Sequence, residues 1–309
     1  GERRFMLIGV KPSFAVRRRV WIIRMNVKYS SARNKSLGQN FLTDASLLDR
    51  LAEFSGVAPT DAVLEIGAGL GGLTAALAKR AKSVLAVEID RSLEPALRAA
   101  VSPYPNVEVR IADGMKMDWV SWANDCLAAR IGGDADARMR AEGGLRFVSN
   151  LPYYITTPLL TRAFKMNPPF GGIACMVQRE VARKLCASPS DGDYGPLGIW
   201  ARARFAPHIV MDVPAAAFDP PPNVDSCFVV CGALDSPLVE VEDYARFGRL
   251  VDAAFASRRK ALRNNLRAGF SLTVEQAASA LERAGLPENA RAEELSVEGF
   301  AALMQALFC

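Results

Sequence analysis

Two stretches of this 309-residue chain hold residues whose types and order could do chemistry. One is "LRFVSNLPYYITTPLL", Leu145 to Leu160. Its short apolar run, Leu145 to Val148, reads as a buried strand. The strand stops on Asn150-Leu151-Pro152-Tyr153, an amide followed by a stiff turn and an aromatic ring. A strand that ends on a polar amide and offers a tyrosine face calls for a reason.

The other stretch is "LEIGAGLGG", in which Gly67, Gly69 and Gly72 fit the spacing of a dinucleotide fingerprint. Glycines there let the backbone approach a ligand. Glu88 follows where an acid closing the second strand accepts the protons of both ribose hydroxyls. A tight turn without a ligand, or a nicotinamide-dependent dehydrogenase, fits the same spacing. Three features favour S-adenosylmethionine instead. Glu65 precedes the glycines, and a carboxylate suits a sulfonium amino acid better than a pyrophosphate. Asp113 ends the third strand in "IADGM", where it can accept from an adenine amino group. The chain has a single histidine, His208, so the proton donor of a hydride-transfer enzyme has no obvious source.

These residues need elements to hold them. Thr43 or Asp44 can cap a helix whose apolar positions Leu47, Leu48, Leu51 and Phe54 repeat at helical spacing. "DAVLEIGAG", "SVLAVEID", "NVEVRIAD", "LRFVSN" and "GGIACMVQ" then read as strands alternating with helices, which predicts a parallel, doubly wound α/β sheet. The segment 130–144, rich in glycine, alanine and charge, reads as a surface loop. "FAPHIVMDVP" and "SCFVVCGAL" read as two last strands around "AAFDPPPNVDS", whose prolines enforce an extended loop. From about residue 236 the pattern is helical only, in "EDYARFGRLVDAAFASRRKALRNNL", "TVEQAASALERAGL" and "SVEGFAALMQALF". Thr273 and Gln276 form a capping-box pattern in the second of these. The predicted organisation is a basic, poorly ordered arm at 1–29, an α/β domain at 30–235 and a small all-helical domain at 236–309.

Charge is distributed unevenly. The formal net charge is +5, but from Arg3 to Thr43 there are ten Lys or Arg and no acid. "SRRKALRNNLR", Ser257 to Arg267, is a second acid-free cluster with Arg258, Arg259, Lys260, Arg263 and Arg267. Two basic regions favour a nucleic acid partner over an ordinary solvated helix face. Six scattered cysteines without a CxxC pair, and one histidine, assemble no zinc constellation, so the thiols read as reduced and no metal is expected. No apolar run reaches the length of a membrane span. The arm suits a transit peptide, an RNA-contacting tail, or sequence ahead of a start at Met25.

The motifs "KSLGQNFLTD", "VLEIGAGLGGLT", "VEID", "ADGMKMD", "NLPYYITTPLL", "VQREVARKL", "YGPLGIW", "FDPPPNVDS", "FASRRKALRNNL" and "RAEELSVEGF" occur in this order. Together they resemble the KsgA-type small-subunit rRNA adenine N6,N6-dimethyltransferases, from about Lys35 to Phe300. The resemblance implies a Rossmann-like S-adenosylmethionine-dependent methyltransferase domain followed by a helical RNA-binding domain. It implies that Asn40, Leu42 and Gly69 line the cofactor pocket, with Gly67 at the methionine part, Glu88 at the ribose and Asp113 at the adenine. Asn150 falls between cofactor and target. The implied substrate is two adjacent adenosines in the 3′-terminal hairpin of 16S rRNA, in an assembling small subunit, with the enzyme acting as a cytoplasmic monomer. A large-subunit rRNA methyltransferase of the macrolide-resistance type, and an assembly checkpoint with secondary catalysis, are the alternatives.

On this reading the opening amide has a task. An exocyclic adenine amine is a poor nucleophile until it pyramidalises, and two acceptors facing its N–H groups favour that geometry. The Asn150 side-chain oxygen and the Leu151 carbonyl are the expected acceptors, with Pro152 aiming the carbonyl and Tyr153 stacking on the extruded base. Tyr154, Phe218 and the Pro220–Pro222 loop, Pro221 included, are expected to shape room for the second methyl group. Arg258, Arg259, Lys260, Arg263 and the Lys35 region are expected to hold phosphates.

Overall fold

Runs of apolar and β-branched residues build the centre of the molecule. The structure, a computed structural model, describes residues 39–128, 144–240, 243–257 and 260–308. The arm, most of the 130–144 loop, Lys35, Arg258 and Arg259 lie outside the described residues. Strands β2 (Ala62–Ile66), β3 (Ser83–Glu88), β5 (Leu145–Asn150) and β6 (Gly172–Gln178) are covered on both faces, so their sequences are nearly continuous apolar runs. Strand β4 (Val107–Ile111) sits at the sheet's edge, and its burial alternates with the pleat.

The sheet has seven strands in the order β4-β3-β2-β5-β6-β9-β7, where β7 is Phe205–Val213 and β9 is Ser226–Ala233. Five strands are parallel. Strand β9 runs antiparallel to both β6 and β7, which departs from the all-parallel expectation. No helical crossover separates β7 from β9, and only a crossover would let them run parallel. The order reverses between β2 and β5, so the chain leaves a crevice at their carboxyl ends. A separate two-stranded ribbon joins β1 (Phe41–Leu42) to β8 (Phe218–Asp219), with Phe41 opposite Asp219 and Leu42 opposite Phe218.

Helix α1 (Ala45–Phe54) starts where Asp44 accepts from the Ser46 amide at 2.8 Å. Helices α2 (Gly72–Ala78), α3 (Glu94–Val101), α4 (Trp119–Ala128), α5 (Thr156–Phe164), α6 (Arg179–Cys186) and α7 (Pro196–Arg202) follow among the described residues of the α/β part. Among the described residues after β9 the regular elements are helical: α8 (Tyr244–Phe255), α9 (Leu262–Phe270), α10 (Val274–Arg283) and α11 (Val297–Phe308). The long helical pattern from residue 242 thus divides into two helices. Asn265, nearly buried, donates to the Ala254 carbonyl at 2.7 Å and the Ser257 carbonyl at 2.9 Å, capping the end of α8 from within α9. The capping box at α10 forms as the sequence predicts: Gln276 N–H donates to Thr273 Oγ1 at 3.2 Å, and Thr273 N–H to Gln276 Oε1 at 2.9 Å.

One apolar cluster runs from Trp119, Phe147 and Phe164 through Trp200 and Phe247 to Phe300 and Leu303. The Trp200 and Tyr244 rings stack 5.4 Å apart, fastening α8 to α7. A second cluster, including Leu51, Val63, Leu77, Val148 and Phe228, packs beneath α1 and α2.

Candidate active site

The crevice at the strand reversal gathers residues from five separate parts of the chain. Asn40, Leu42, Gly67, Gly69, Glu88, Asp113, Asn150, Leu151, Pro152 and Tyr153 all line one pocket. Four of the five parallel strands contribute where they end: Gly67 follows β2, Glu88 closes β3, Asp113 follows β4 and Asn150 closes β5. Buried Ser149 ties the two sides of the crevice together by donating its hydroxyl to the Ile66 carbonyl.

The glycine turn is shaped for close approach. Gly67 has φ +83° and Gly69 φ +57°, where a side chain is strained. A Cβ on Gly67 would sit 3.1 Å from Pro152 Cγ, and one on Gly69 would sit 3.1 Å from the Phe41 ring. The turn therefore touches both the catalytic-looking proline and the strap that carries β1. That strap is tied down at two points. Gln39 Nε2 donates to Asp90 at 3.0 Å, and Asn150 Nδ2 donates to the Asn40 carbonyl at 3.4 Å.

The acids are held in different ways. Glu88 is nearly buried, with one carboxylate oxygen accepting from Gly69 N–H at 2.8 Å and the other from Asp90 N–H at 2.9 Å. Each oxygen keeps lone pairs for hydroxyl donors. Asp113 accepts from Met115 N–H at 2.9 Å and faces Lys116 at 3.6 Å. Glu65 is fully buried, and its Oε2 has no hydrogen-bond partner among the described residues. Burial pushes its pKa up to about 8, with the Glu88 charge adding to the rise. The sequence suggested a standing negative charge at Glu65; burial instead favours the protonated carboxyl at neutral pH, outweighing the Thr74 hydroxyl that favours the anion. A cation beside it would restore ionisation.

At the end of β5, Leu151 is buried and its N–H donates to the Met176 carbonyl at 3.2 Å, so the turn is anchored on β6. Among the described residues no donor reaches Asn150 Oδ1 or the Leu151 carbonyl. Thr156 Oγ1 holds the Pro152 carbonyl at 3.0 Å. The half-buried Tyr153 is fixed through its hydroxyl, 2.6 Å from Ser226 Oγ at the start of β9, and burial raises its pKa. The ring cannot swing away without breaking that bond.

Other predicted residues lie elsewhere. Phe218 is 4% exposed and belongs to the apolar cluster under β1, so it supports Leu42 rather than presenting a face to a substrate. Its aromatic type suggested a contact surface, but ribbon pairing turns the side chain inward. Pro221 is exposed and outside the pocket lining. Tyr154 is 51% exposed on the pocket rim, where Glu88 and Asp113 add to the burial that raises its pKa. Lys260 is exposed, whereas Arg263 is ion-paired with Glu288 at the surface. Sequence reasoning passed over Gln39, Phe41, Ile89 and Ser149. Phe41 and Ile89 were legible only as flanking apolar residues of "GQNFL" and "VEID".

A doubly wound sheet with a glycine turn, an acid closing its second strand and an amide-ended strand at its reversal point defines a Rossmann-like methyltransferase. The sequence model of the ribosomal RNA adenine dimethylase family matches residues 30–307, and this chain belongs to that family. It is 40% identical over 283 residues to the ribosomal RNA small subunit methyltransferase A of Bacillus licheniformis, covering 91% of this chain and 93% of that protein. It is 40% identical over 285 residues to the protein of the same name from Shouchella clausii, covering 91% and 92%. Among solved structures, a dimethyladenosine transferase from Plasmodium falciparum superposes with a TM-score of 0.69 at 23% identity, covering 85% of this chain and 95% of that one. The 23S rRNA methyltransferase ErmE superposes with a TM-score of 0.62 at 28% identity, covering 87% and 99%.

The methyl donor of this family is S-adenosylmethionine, and the residues present fit it. The turn at Gly67 and Gly69 leaves a cradle that a Cβ would fill, the orphaned Glu65 Oε2 answers a cation, and Glu88 and Asp113 supply acceptors for hydroxyl and amino donors. Among the described residues no group of three or more His, Cys, Asp or Glu could hold a metal ion. Among them, too, no helix is long and apolar enough to cross a membrane.

Proposed function

We propose that this enzyme dimethylates N6 of two adjacent adenosines in the 3′-terminal hairpin of small-subunit rRNA, within an assembling subunit. The observation that carries this reading is the pair of acceptors that no donor reaches among the described residues, Asn150 Oδ1 and the Leu151 carbonyl, at the end of β5. They share one pocket with Glu88 and Asp113.

S-adenosylmethionine, when bound, supplies an electrophilic methyl group on a sulfonium whose departure leaves a neutral thioether. Gly67 and Gly69 admit its methionine part, Glu88 accepts from the ribose hydroxyls and Asp113 from the adenine amine. On the target side, Asn150 and Leu151 accept the two N–H protons of an extruded adenine, favouring a pyramidal nitrogen whose lone pair is free. The Tyr153 ring, locked by Ser226, is the stacking surface for that base. No strong base is required, because the proton is lost to water after the nitrogen is alkylated. After one methylation a single N–H remains, so one acceptor suffices for the second turnover.

The helices from residue 236 onward, with Lys260 and the 258–267 segment, form the proposed rRNA-holding part, and the protein acts as a cytoplasmic monomer. The test is transfer of labelled methyl groups to unmethylated small subunits, with the product nucleoside identified by mass. N6,N6-dimethyladenosine in the 3′-terminal hairpin supports the reading. Label entering only large subunits would instead support the second reading, which the likeness to ErmE motivates.

A further inference from the structure

The residue that links the two halves of the pocket lies outside it. Arg162 sits on α5, the helix that begins directly after the Asn150–Tyr153 turn. Its guanidinium reaches across 45 to 48 positions of sequence to the loop that follows Asp113. Nη1 donates to the Gly114 carbonyl at 3.2 Å and also to the Met115 carbonyl, and Nη2 donates to the Met117 carbonyl at 2.6 Å. The guanidinium carbon lies 4.4 Å from the centre of the Trp119 ring, and Trp119 Nε1 donates to the same Gly114 carbonyl at 2.9 Å.

This loop is the one that aims Asp113. The Asp113 side chain accepts from Met115 N–H at 2.9 Å, and its backbone carbonyl accepts from Lys116 and Met117. Three of the loop's carbonyls therefore point to one guanidinium, while one of its amides points to the carboxylate. Burial lowers the Arg162 pKa, and the charges of Asp118 and Asp113 oppose that shift. Arginine suits the position because a planar fork serves several acceptors at once and stacks on an aromatic face, whereas an ammonium is a single point charge.

We propose that Arg162 is a positioning residue for cofactor recognition, a clamp that fixes the Asp113 loop against the helix continuing from the base-holding turn. This rests on the reading that Asp113 accepts from the cofactor's adenine amine. The consequence is selectivity. A loop held at three carbonyls keeps the Asp113 carboxylate aimed at an amino group, so the pocket discriminates against a base with an oxygen there.

The test uses calorimetric binding of S-adenosylhomocysteine and S-inosylhomocysteine, which differ at that position. The full-length protein is compared with Arg162→Met, Arg162→Lys and Asp113→Asn. Wild type should prefer the adenine ligand by about tenfold or more, the worth of one buried hydrogen bond. In Arg162→Met the preference should shrink toward one, chiefly through weaker adenine binding, and Arg162→Lys should fall between. The lysine variant keeps charge and ring contact, so it decides the question if the methionine variant does not fold. Equal weakening of both ligands in the variants would mean that Arg162 supports the fold only, and would overturn the proposal. If Asp113→Asn removes the preference while both Arg162 variants keep it, the clamp fails and the Asp113 reading stands. If Asp113→Asn leaves the preference intact, the underlying reading fails, and the clamp with it.

Discussion

The side chain of Asn150 donates to the backbone carbonyl of Asn40 at 3.4 Å, joining residues 110 positions apart in the chain. An amide has one acceptor end and one donor end. With the donor end committed to Asn40, no donor among the described residues reaches the acceptor end, Oδ1. The strap before α1 thus holds the carboxamide of this pocket-lining residue.

Replacing Asn150 by alanine should therefore lower kcat by about a hundredfold or more, as loss of one preorganised transition-state partner does. Cofactor affinity should change by less than about threefold, since Glu88 and Asp113 are intact. Single-turnover methyl transfer and calorimetry separate the two. A variant with undiminished single-turnover rate refutes the role.

Tyr153 carries two contributions that substitution can split. Tyr153→Phe removes only the bond to Ser226 and should cost about 1 kcal/mol of stability with modest loss of turnover. Tyr153→Ala also removes the ring and should weaken rRNA substrate binding in the transition state by about 1–3 kcal/mol. The measurement is kcat/KM for the RNA, set beside the denaturant midpoint. Equal kcat/KM for the two variants would rule out stacking.

Glu65 makes the protein's stability depend on pH in a definite direction. Its pKa in the fold is about 8, against an ordinary carboxylate value of 4.5, because burial disfavours the anion. Below pH 4.5 both folded and unfolded chains are protonated there, and the stabilising contribution is fully present. Between the two values the unfolded chain ionises while the folded one does not, so this contribution falls by about 1.4 kcal/mol for each pH unit. Glu65→Gln has no such loss. The stability difference between variant and wild type should grow in the variant's favour from pH 5 to pH 8, read from urea midpoints without ligand. A difference that is flat across that range would show Glu65 to be ionised already.

Arg263 offers a gain-of-binding test. Its partner Glu288 holds the guanidinium at the protein surface. Glu288→Gln should free it, tighten binding to the unmethylated small subunit several-fold and steepen the salt dependence by about one unit of logarithmic slope. Filter binding across salt concentrations gives both numbers. Unchanged slope would place Arg263 off the RNA-facing surface.

What the sequence determined by itself is the part governed by near neighbours. A strand buried on both faces is legible as an apolar run, as in β2 and β3, and a cap is legible because Asp44 or Thr273 needs a partner only two or three residues away. The ordered motifs also disclosed the pocket's main contributors, Gly67, Glu88, Asp113 and Asn150, because doubly wound sheets place strand ends side by side. Only the tertiary structure decided which lone pairs stay open and which charges are spent. Phe218 turns inward because β8 pairs with β1, Arg263 meets Glu288 across two helical segments, and Arg162 finds three carbonyls of a distant loop. Those outcomes depend on contacts between residues tens of positions apart, whose distances are fixed by the order in which strands pair and not by any local pattern of residue types.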